Sequence, residues 1–319
     1  MGFNMKLGIL FSGQGAQKAG MGSDLYQSLP AYKETVDKAS EIVGYNLQEV
    51  ARDETKISQT AYAQPAILTM SHAIISALGD ALPVPVAGLG LSLGEYSALT
   101  ASGALTFDQA VAIIKDRGAY MQTVGDANPG KMVAVMGDDQ KLVENVLATL
   151  QSERKKVYPA NYNTFAQLVI GGVAADVDLA VEKLTEAGIQ RMVELPVSGA
   201  FHTPLLKDAA TQLATRLTGE KFNSFKYPVY SNTTGDIFTQ DTLYDTLTQQ
   251  IISPTYFAQA VQNMLDLGVD TFLEVGPSET LVKFVKKIAP KSVKRYAITD
   301  LESFNTVRDM LIAEGEETK

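Results

Sequence analysis

Cysteine is absent from the 319 residues, which excludes disulfide bridges, thiolate metal sites and a cysteine nucleophile. A cysteine-free chain fits a cytoplasmic address. Long hydrophobic runs are missing too. The N-terminal stretch MGFNMKLGILFSGQG holds only a short apolar run, Leu7 to Phe11, too brief for a signal-peptide core or a membrane span. Gly2 is followed by Lys6 where a myristoylation signal requires Ser or Thr, and Met5 offers an alternative start. Positive charge is scarce: the formal net charge is −9, which argues against general nucleic-acid binding. One segment departs from this. KFVKKIAPKSVKR, Lys283 to Arg295, contains six basic residues and no acidic one. It reads either as a solvated helix face and loop or as a docking patch for an acidic partner, with Lys283, Lys286 and Lys287 as the docking residues.

What is present is ordinary in bulk: 45% hydrophobic and 20% charged residues, enough for a full core in one large domain or two. MKLGILF reads as a buried strand ending at a glycine-rich turn. QPAILTMSHAIISALGDAL has helical spacing, PVPVAGLGL is a second apolar strand, and a helix from Asp108 carries DQAVAIIKDRGAYMQ. This alternation predicts an α/β domain with a parallel sheet. GDANPG, residues 125–130, reads as a flexible break. Beyond it the order is strand KMVAVMG, helix DDQKLVENVLATLQ, strands KVYPANYN and AQLVIGG, helix AADVDLAVEKLTEAG and strand QRMVELPV. That βαββαβ order is the ferredoxin-like split motif. We therefore expect residues 128–197 to be a small subdomain inserted into a larger one, residues 1–127 and 198–319. The larger part resumes with strands KYPVYSNTTG and DTFLEVGP.

Within VPVAGLGLSLGEYSALTASGAL, Ser92 stands between Gly90 and Gly94, after an apolar strand and before helix-forming sequence. A G-x-S-x-G turn of this kind exposes a serine hydroxyl at a strained backbone position, and the glycines remove clashes that the tight turn would create. The amide of Leu93 then lies at a helix N-terminus, aimed where an oxyanion would form. The bland alternative is a glycine-rich turn that happens to contain serine.

A serine nucleophile needs a base, and the chain has two histidines. His72 sits in an apolar helix, where a packed, hydrogen-bonded imidazole is expected. His202, in VSGAFHTPLLKDAA, lies in a turn between strand and helix and is the better base. No carboxylate stands out as a third member, so a carbonyl is a candidate orienting acceptor. The turn FSGQG at residues 11–15 fails the dinucleotide template, because Lys18 occupies the third glycine position, and no P-loop Gly-Lys follows. It suits a second oxyanion donor, the amide of Gln14. On a helical wheel Arg117 falls among Ile113, Ile114 and Met121 on the apolar side of its helix. A guanidinium there must snorkel out or meet an anion. A two-pronged grip on a carboxylate would suit an acyl substrate carrying a free carboxylate.

With these residues assembled, the chain resembles the malonyl-CoA:acyl carrier protein transacylases of bacterial fatty-acid synthesis. FSGQGAQ, TAYAQPAI, GLSLGEYSAL, RGAYMQ, PANYNTFAQLVIGG, VSGAFHTPLL and EVGPSETL occur in that family's order over nearly the whole length. The resemblance implies a hydrolase-like α/β subdomain carrying an inserted ferredoxin-like one. It also implies Ser92 as nucleophile, His202 as base, Leu93 and Gln14 as oxyanion donors and Arg117 as the malonyl carboxylate grip. It further implies that the main-chain carbonyl of Gln250 orients His202, and that Phe201 leaves little room for an α-methyl branch. Malonyl-CoA and acyl carrier protein would be the partners of a monomeric enzyme. Coenzyme A thioester is a substrate here; no cofactor, metal, nucleic acid or membrane is called for. Two departures stand out: Leu91 replaces a histidine often found before the serine, and Ser12 replaces a common proline. The competing readings are a serine esterase or thioesterase, a stand-alone loading enzyme of polyketide synthesis, and a non-catalytic carrier-binding module.

Overall fold

The computed structural model describes residues 5–137, 139–197 and 199–316. Gly2 and the expected resumption of the large subdomain at residue 198 fall outside them. The described strands are, in chain order, β1 (Leu7–Phe11), β2 (Ala87–Gly90), β3 (Gly130–Met136), β4 (Val157–Thr164), β5 (Gln167–Val173), β6 (Met192–Glu194), β7 (Val229–Tyr230), β8 (Thr271–Val275) and β9 (Lys294–Ile298). They form two sheets. One has the order β7-β2-β1-β8-β9, every pair parallel; the other has the order β4-β5-β3-β6, every pair antiparallel. The second order, with helices Gln140–Ser152 and Ala174–Glu186 between strands, is that of the ferredoxin-like motif. Pro129 and Gly199 pair in an isolated antiparallel bridge, which brings the chain on either side of this sheet together.

The parallel sheet is covered on both faces, so β1 and β2 are apolar throughout rather than alternating. In β1, Leu7, Ile9 and Phe11 face a large core with helices Pro30–Val43, Thr60–Leu78 and Phe107–Ala127, while Leu10 joins a second cluster with Phe257–Asp266 and Thr280–Ile288. Functional segments leave the C-terminal ends of β1, β2 and β8, the end at which open α/β sheets present ligands. No described helix is long and apolar enough to cross a membrane.

Several segments depart from the sequence reading. GDANPG is not a break: helix Phe107–Ala127 runs through Val124 and Gly125, both buried, and β3 begins at Gly130. Only Asn128 and Pro129 connect them. The end of the basic segment is a strand, β9, parallel to β8. It occupies an edge, where charged residues such as exposed Lys294 discourage further pairing. In KYPVYSNTTG only Val229–Tyr230 pair, and in QRMVELPV only Met192–Glu194.

The turn after β2 is packed backbone on backbone. A Cβ on Gly90 would lie 1.9 Å from the carbonyl carbon of Gly94, and one on Gly94 would lie 2.3 Å from the carbonyl oxygen of Phe11. Neither obstacle is a side chain that can swing away. Gly90→Ala is expected to destabilise the fold by about 3 kcal/mol or more, read as a lower urea midpoint. A midpoint within error of wild type would show that the turn tolerates a wider separation.

Candidate active site

Ser92 sits at the turn between β2 and helix Gly94–Ala101 with φ +56°, and His202 is also left-handed at φ +59°. Few non-glycine residues adopt this conformation, and those that do concentrate at functional sites. The two side chains meet: His202 Nε2 is 2.9 Å from Ser92 Oγ. His202 Nδ1 is 2.8 Å from the main-chain oxygen of Gln250. A carbonyl can only accept, so Nδ1 carries the proton and Nε2 is left to accept one from the serine. His202 is buried, and that burial, with the charge of Arg117 acting in the same direction, lowers its pKa to about 4. The imidazole is therefore neutral at physiological pH and ready to act as a base.

Arg117 has no solvent-accessible surface. It does not snorkel. Nη1 donates to Gln64 Oε1 at 2.6 Å, and Nη2 donates to Gln250 Oε1 at 3.0 Å and to Ser92 Oγ at 3.2 Å. None of these partners is charged, and Nε has no partner among the described residues. The Tyr96 ring lies 5.5 Å from the guanidinium carbon, a cation–π contact. Burial pulls the guanidinium pKa down, the direction expected for a cation short of a counter-charge.

Gln250 joins the two halves. Its main chain holds His202, and its side chain holds Arg117 through Oε1. Through Nε2 it donates to Ser92 O at 3.0 Å and to Glu95 Oε2. Glu95 is fully buried, and Oε1 accepts the main-chain N–H of Asn232. Burial raises its pKa to about 8 against the opposing pull of these hydrogen bonds. Sequence reasoning missed Glu95 and Gln64. A signal for Glu95 existed: it is the sole charged residue between Val84 and Thr106. Glu274, the one acid in β8, was also missed. It accepts from Ser12 Oγ at 2.8 Å and from the Val282 N–H at 3.0 Å, and burial pushes its pKa up to about 7.

Ser92 and His202 open onto a cleft of about 930 Å³. Gln14, Leu91, Phe201 and Glu274 line it, together with Met132, Asn161 and Asn163 of the antiparallel sheet. The amides of Gln14 and Leu93 donate to no acceptor among the described residues. Leu93 itself is buried at the start of the helix that follows Ser92. Helix Thr280–Ile288 turns Leu281 and Phe284 to the cleft and leaves Lys283, Lys286 and Lys287 exposed. Lys283 pairs with Glu279 at 3.5 Å. His72 stacks on Phe107 with ring centroids 4.4 Å apart, and its buried Nδ1 has no hydrogen-bond partner among the described residues, contrary to the hydrogen-bonded imidazole expected.

The chain matches the acyl transferase domain family over residues 9–303 and belongs to it. Among its relatives is the malonyl CoA-acyl carrier protein transacylase of Bacillus subtilis, 36% identical over 314 residues, 98% of this chain and 99% of that protein. Among solved structures, MCAT from Streptococcus pneumoniae is 43% identical with a TM-score of 0.91, covering 96% of this chain and 100% of that one. A malonyl-transacylase in complex with its type II polyketide synthase acyl carrier protein is 30% identical with a TM-score of 0.90, covering 96% and 99%.

The burial of His202 has a direct readout. Reaction of Ser92 with a small sulfonyl fluoride needs the neutral imidazole, and protonation removes the base. The rate is expected to stay level from about pH 8 to about pH 5 and to fall only as acid carries His202 through about 4. A midpoint near 6.5, the ordinary histidine value, would mean that water reaches the ring freely.

Proposed function

We infer that the protein transfers a malonyl group from malonyl-CoA to the phosphopantetheine thiol of acyl carrier protein, supplying fatty-acid synthesis. The observation that carries this reading is Arg117, a fully buried guanidinium with no charged hydrogen-bond partner among the described residues, 3.2 Å from the nucleophile oxygen. Such a cation calls for an anion. A malonyl group esterified to Ser92 brings a carboxylate to the guanidinium. Unpartnered Nε and serine-facing Nη2 form one edge of the guanidinium fork, suited to a bidentate grip.

In this scheme His202 Nε2 takes the Ser92 proton as Oγ attacks the thioester carbonyl. The amides of Leu93 and Gln14 receive the developing oxyanion. Collapse breaks the carbon–sulfur bond, His202 returns the proton to sulfur, and coenzyme A leaves a malonyl-serine enzyme. The carrier thiol then gives its proton to His202 and attacks the ester, and Ser92 recovers its proton as the carbon–oxygen bond breaks. The cycle is ping-pong. Gln250 holds the imidazole tautomer throughout. Phe201, lining the cleft, narrows the space for an α-methyl branch. Leu91 in place of histidine removes polar assistance before the serine, but no step above uses it. The scheme assigns every proton and charge to one copy of the chain and needs no cofactor, and we place it in the cytoplasm. Residues 128–197 serve as the inserted subdomain and the remainder as the catalytic one. A hydrolase would have no use for a buried cation beside its serine unless its substrate also carried an anion.

Peptide mapping after mixing with malonyl-CoA is expected to locate the acyl group on Ser92; a label elsewhere sinks the scheme. Arg117→Ala removes the grip used by malonyl and not by acetyl. Losing one partner of a buried charge pair costs roughly 3–5 kcal/mol, so malonyl loading should fall by orders of magnitude while acetyl loading falls far less. An unchanged ratio of the two rates would place the carboxylate elsewhere.

Exposed Lys286 and Lys287 lie on the helix that lines the cleft, and we assign them, with Lys283, to docking of the acidic carrier. The double reversal Lys286→Glu with Lys287→Glu should slow transfer to the carrier by roughly tenfold at low salt and flatten its salt dependence. Loading from malonyl-CoA should stay comparable; equal losses in both half-reactions would rule out a docking role.

A further inference from the structure

We propose that Glu95 is a positioning residue for malonyl selectivity: its carboxyl fixes which end of the Gln250 side-chain amide faces Arg117. The proposal rests on the reading of Arg117 as the carboxylate grip. Glu95 is out of reach of any substrate. It has no accessible surface, and its hydrogen bonds run to Gln250, to the Ser231 side chain and to the main chain at Asn232.

The geometry leaves the amide of Gln250 one workable orientation. One end faces two acceptors, Ser92 O and Glu95 Oε2, and must be the NH2 group. The other faces a donor, Arg117 Nη2 at 3.0 Å, and must be the oxygen. Turning the amide over would set NH2 against the guanidinium and oxygen against two oxygens. Of the two acceptors, the serine carbonyl is tied to the nucleophile turn, so Glu95 is the side chain that makes the choice. A carboxyl, ionised or carrying its proton on Oε1, presents an acceptor at Oε2. Oε1 meanwhile is held by the Asn232 N–H, and the Asn232 side chain donates to Gly90 O. The carboxyl is therefore anchored to the backbone of the same turn that carries Ser92. Arg117 in turn keeps Nη2 between Gln250 and Ser92 only while an oxygen faces it. The main-chain carbonyl that orients His202 does not depend on the amide orientation. Glu95 is thus linked to the carboxylate grip more tightly than to the proton transfer.

Glu95→Gln is close to isosteric and tests this directly. The new amide must offer oxygen to the Asn232 N–H, which leaves its NH2 facing the NH2 of Gln250. Either the new amide turns and sets its NH2 against the Asn232 N–H, or Gln250 turns and loses the Arg117 contact; the proposal requires the second. Acyl-enzyme formation from malonyl-CoA and acetyl-CoA, followed by quenched flow and intact mass on one preparation, gives a ratio of rates that is independent of the fraction folded. A hydrogen bond to a charged group supports an expected fall in that ratio of about tenfold or more. In a Gln250→Ala background, which keeps the main-chain carbonyl, Glu95→Gln should change the ratio no further.

An unchanged ratio in Glu95→Gln, with the ratio collapsed in Arg117→Ala, overturns the proposal and leaves the functional reading standing. So does a full additional loss in the Gln250→Ala background, which would mean that Glu95 acts by another route. An unchanged ratio in Arg117→Ala would instead remove the functional reading itself. Should Glu95→Gln fail to fold, Gln250→Ala alone decides: a wild-type ratio there excludes the amide as the link.

Discussion

A guanidinium without accessible surface is among the costliest groups a protein can bury, and the interior around Arg117 is organised by that cost. Gln64 arrives from helix Thr60–Leu78, Gln250 from the end of helix Leu243–Gln250, Tyr96 from the helix after the serine turn. Each offers a dipole or a ring face, and none offers a formal charge. The result is a cation solvated by the protein but not neutralised at contact distance. A carboxylate placed directly against it would hold the charge more comfortably and would also fill the place that an anionic substrate needs. Glu95 stands one amide further away, close enough to bias the arrangement and too far to occupy it.

Backbone conformation imposes the second constraint. Ser92 and His202 both adopt a left-handed backbone, at a typical cost of roughly 1–3 kcal/mol each. That cost is offset by contacts that leave the chain little alternative. Gly90 and Gly94 allow β2, the following helix and the end of β1 to approach backbone to backbone. The Asn232 side chain closes on Gly90 O, and Thr203 Oγ1 donates back to Ala200 O beside the histidine. Strain and close packing are thus the same feature seen from two sides, and both aim side chains into the cleft.

How much of this was legible in the sequence follows from the range of each interaction. The serine turn was readable because its requirements are local: an apolar strand, two glycines and a helix start within a few residues. Arg117 was readable from helical periodicity, and His202 by elimination between two histidines. The βαββαβ order was readable from alternating strand and helix patterns, and the observed strand order agrees with it. Glu95 and the Gln250 side chain were not. Their contact spans 155 positions, and nothing local to either residue announces the other. The short pairings in β6 and β7, and the strand β9 in a segment read as helix and loop, failed for the same reason. A strand of two or three residues, or one rich in lysine, is specified by the neighbour it pairs with more than by its own composition. The supposed break at residues 125–130 failed because Val124 and Gly125 are buried, so packing overrode the turn-forming composition.

Helix Thr280–Ile288 shows how the charge pattern and the cleft are mechanically tied. Its apolar face, Leu281 and Phe284, forms part of the cleft wall, and its exposed face carries Lys286 and Lys287. Its first turn is held by Glu274, which accepts the Val282 N–H. The same carboxyl accepts the hydroxyl of Ser12, two residues before Gln14. A proline at position 12 would have no hydroxyl to give, so the bond that ties the glycine-rich turn to the helix depends on serine here. The turn and the basic helix therefore share one buried anchor. The basic helix and the serine turn thus both follow strands at the end of the parallel sheet where β1, β2 and β8 finish.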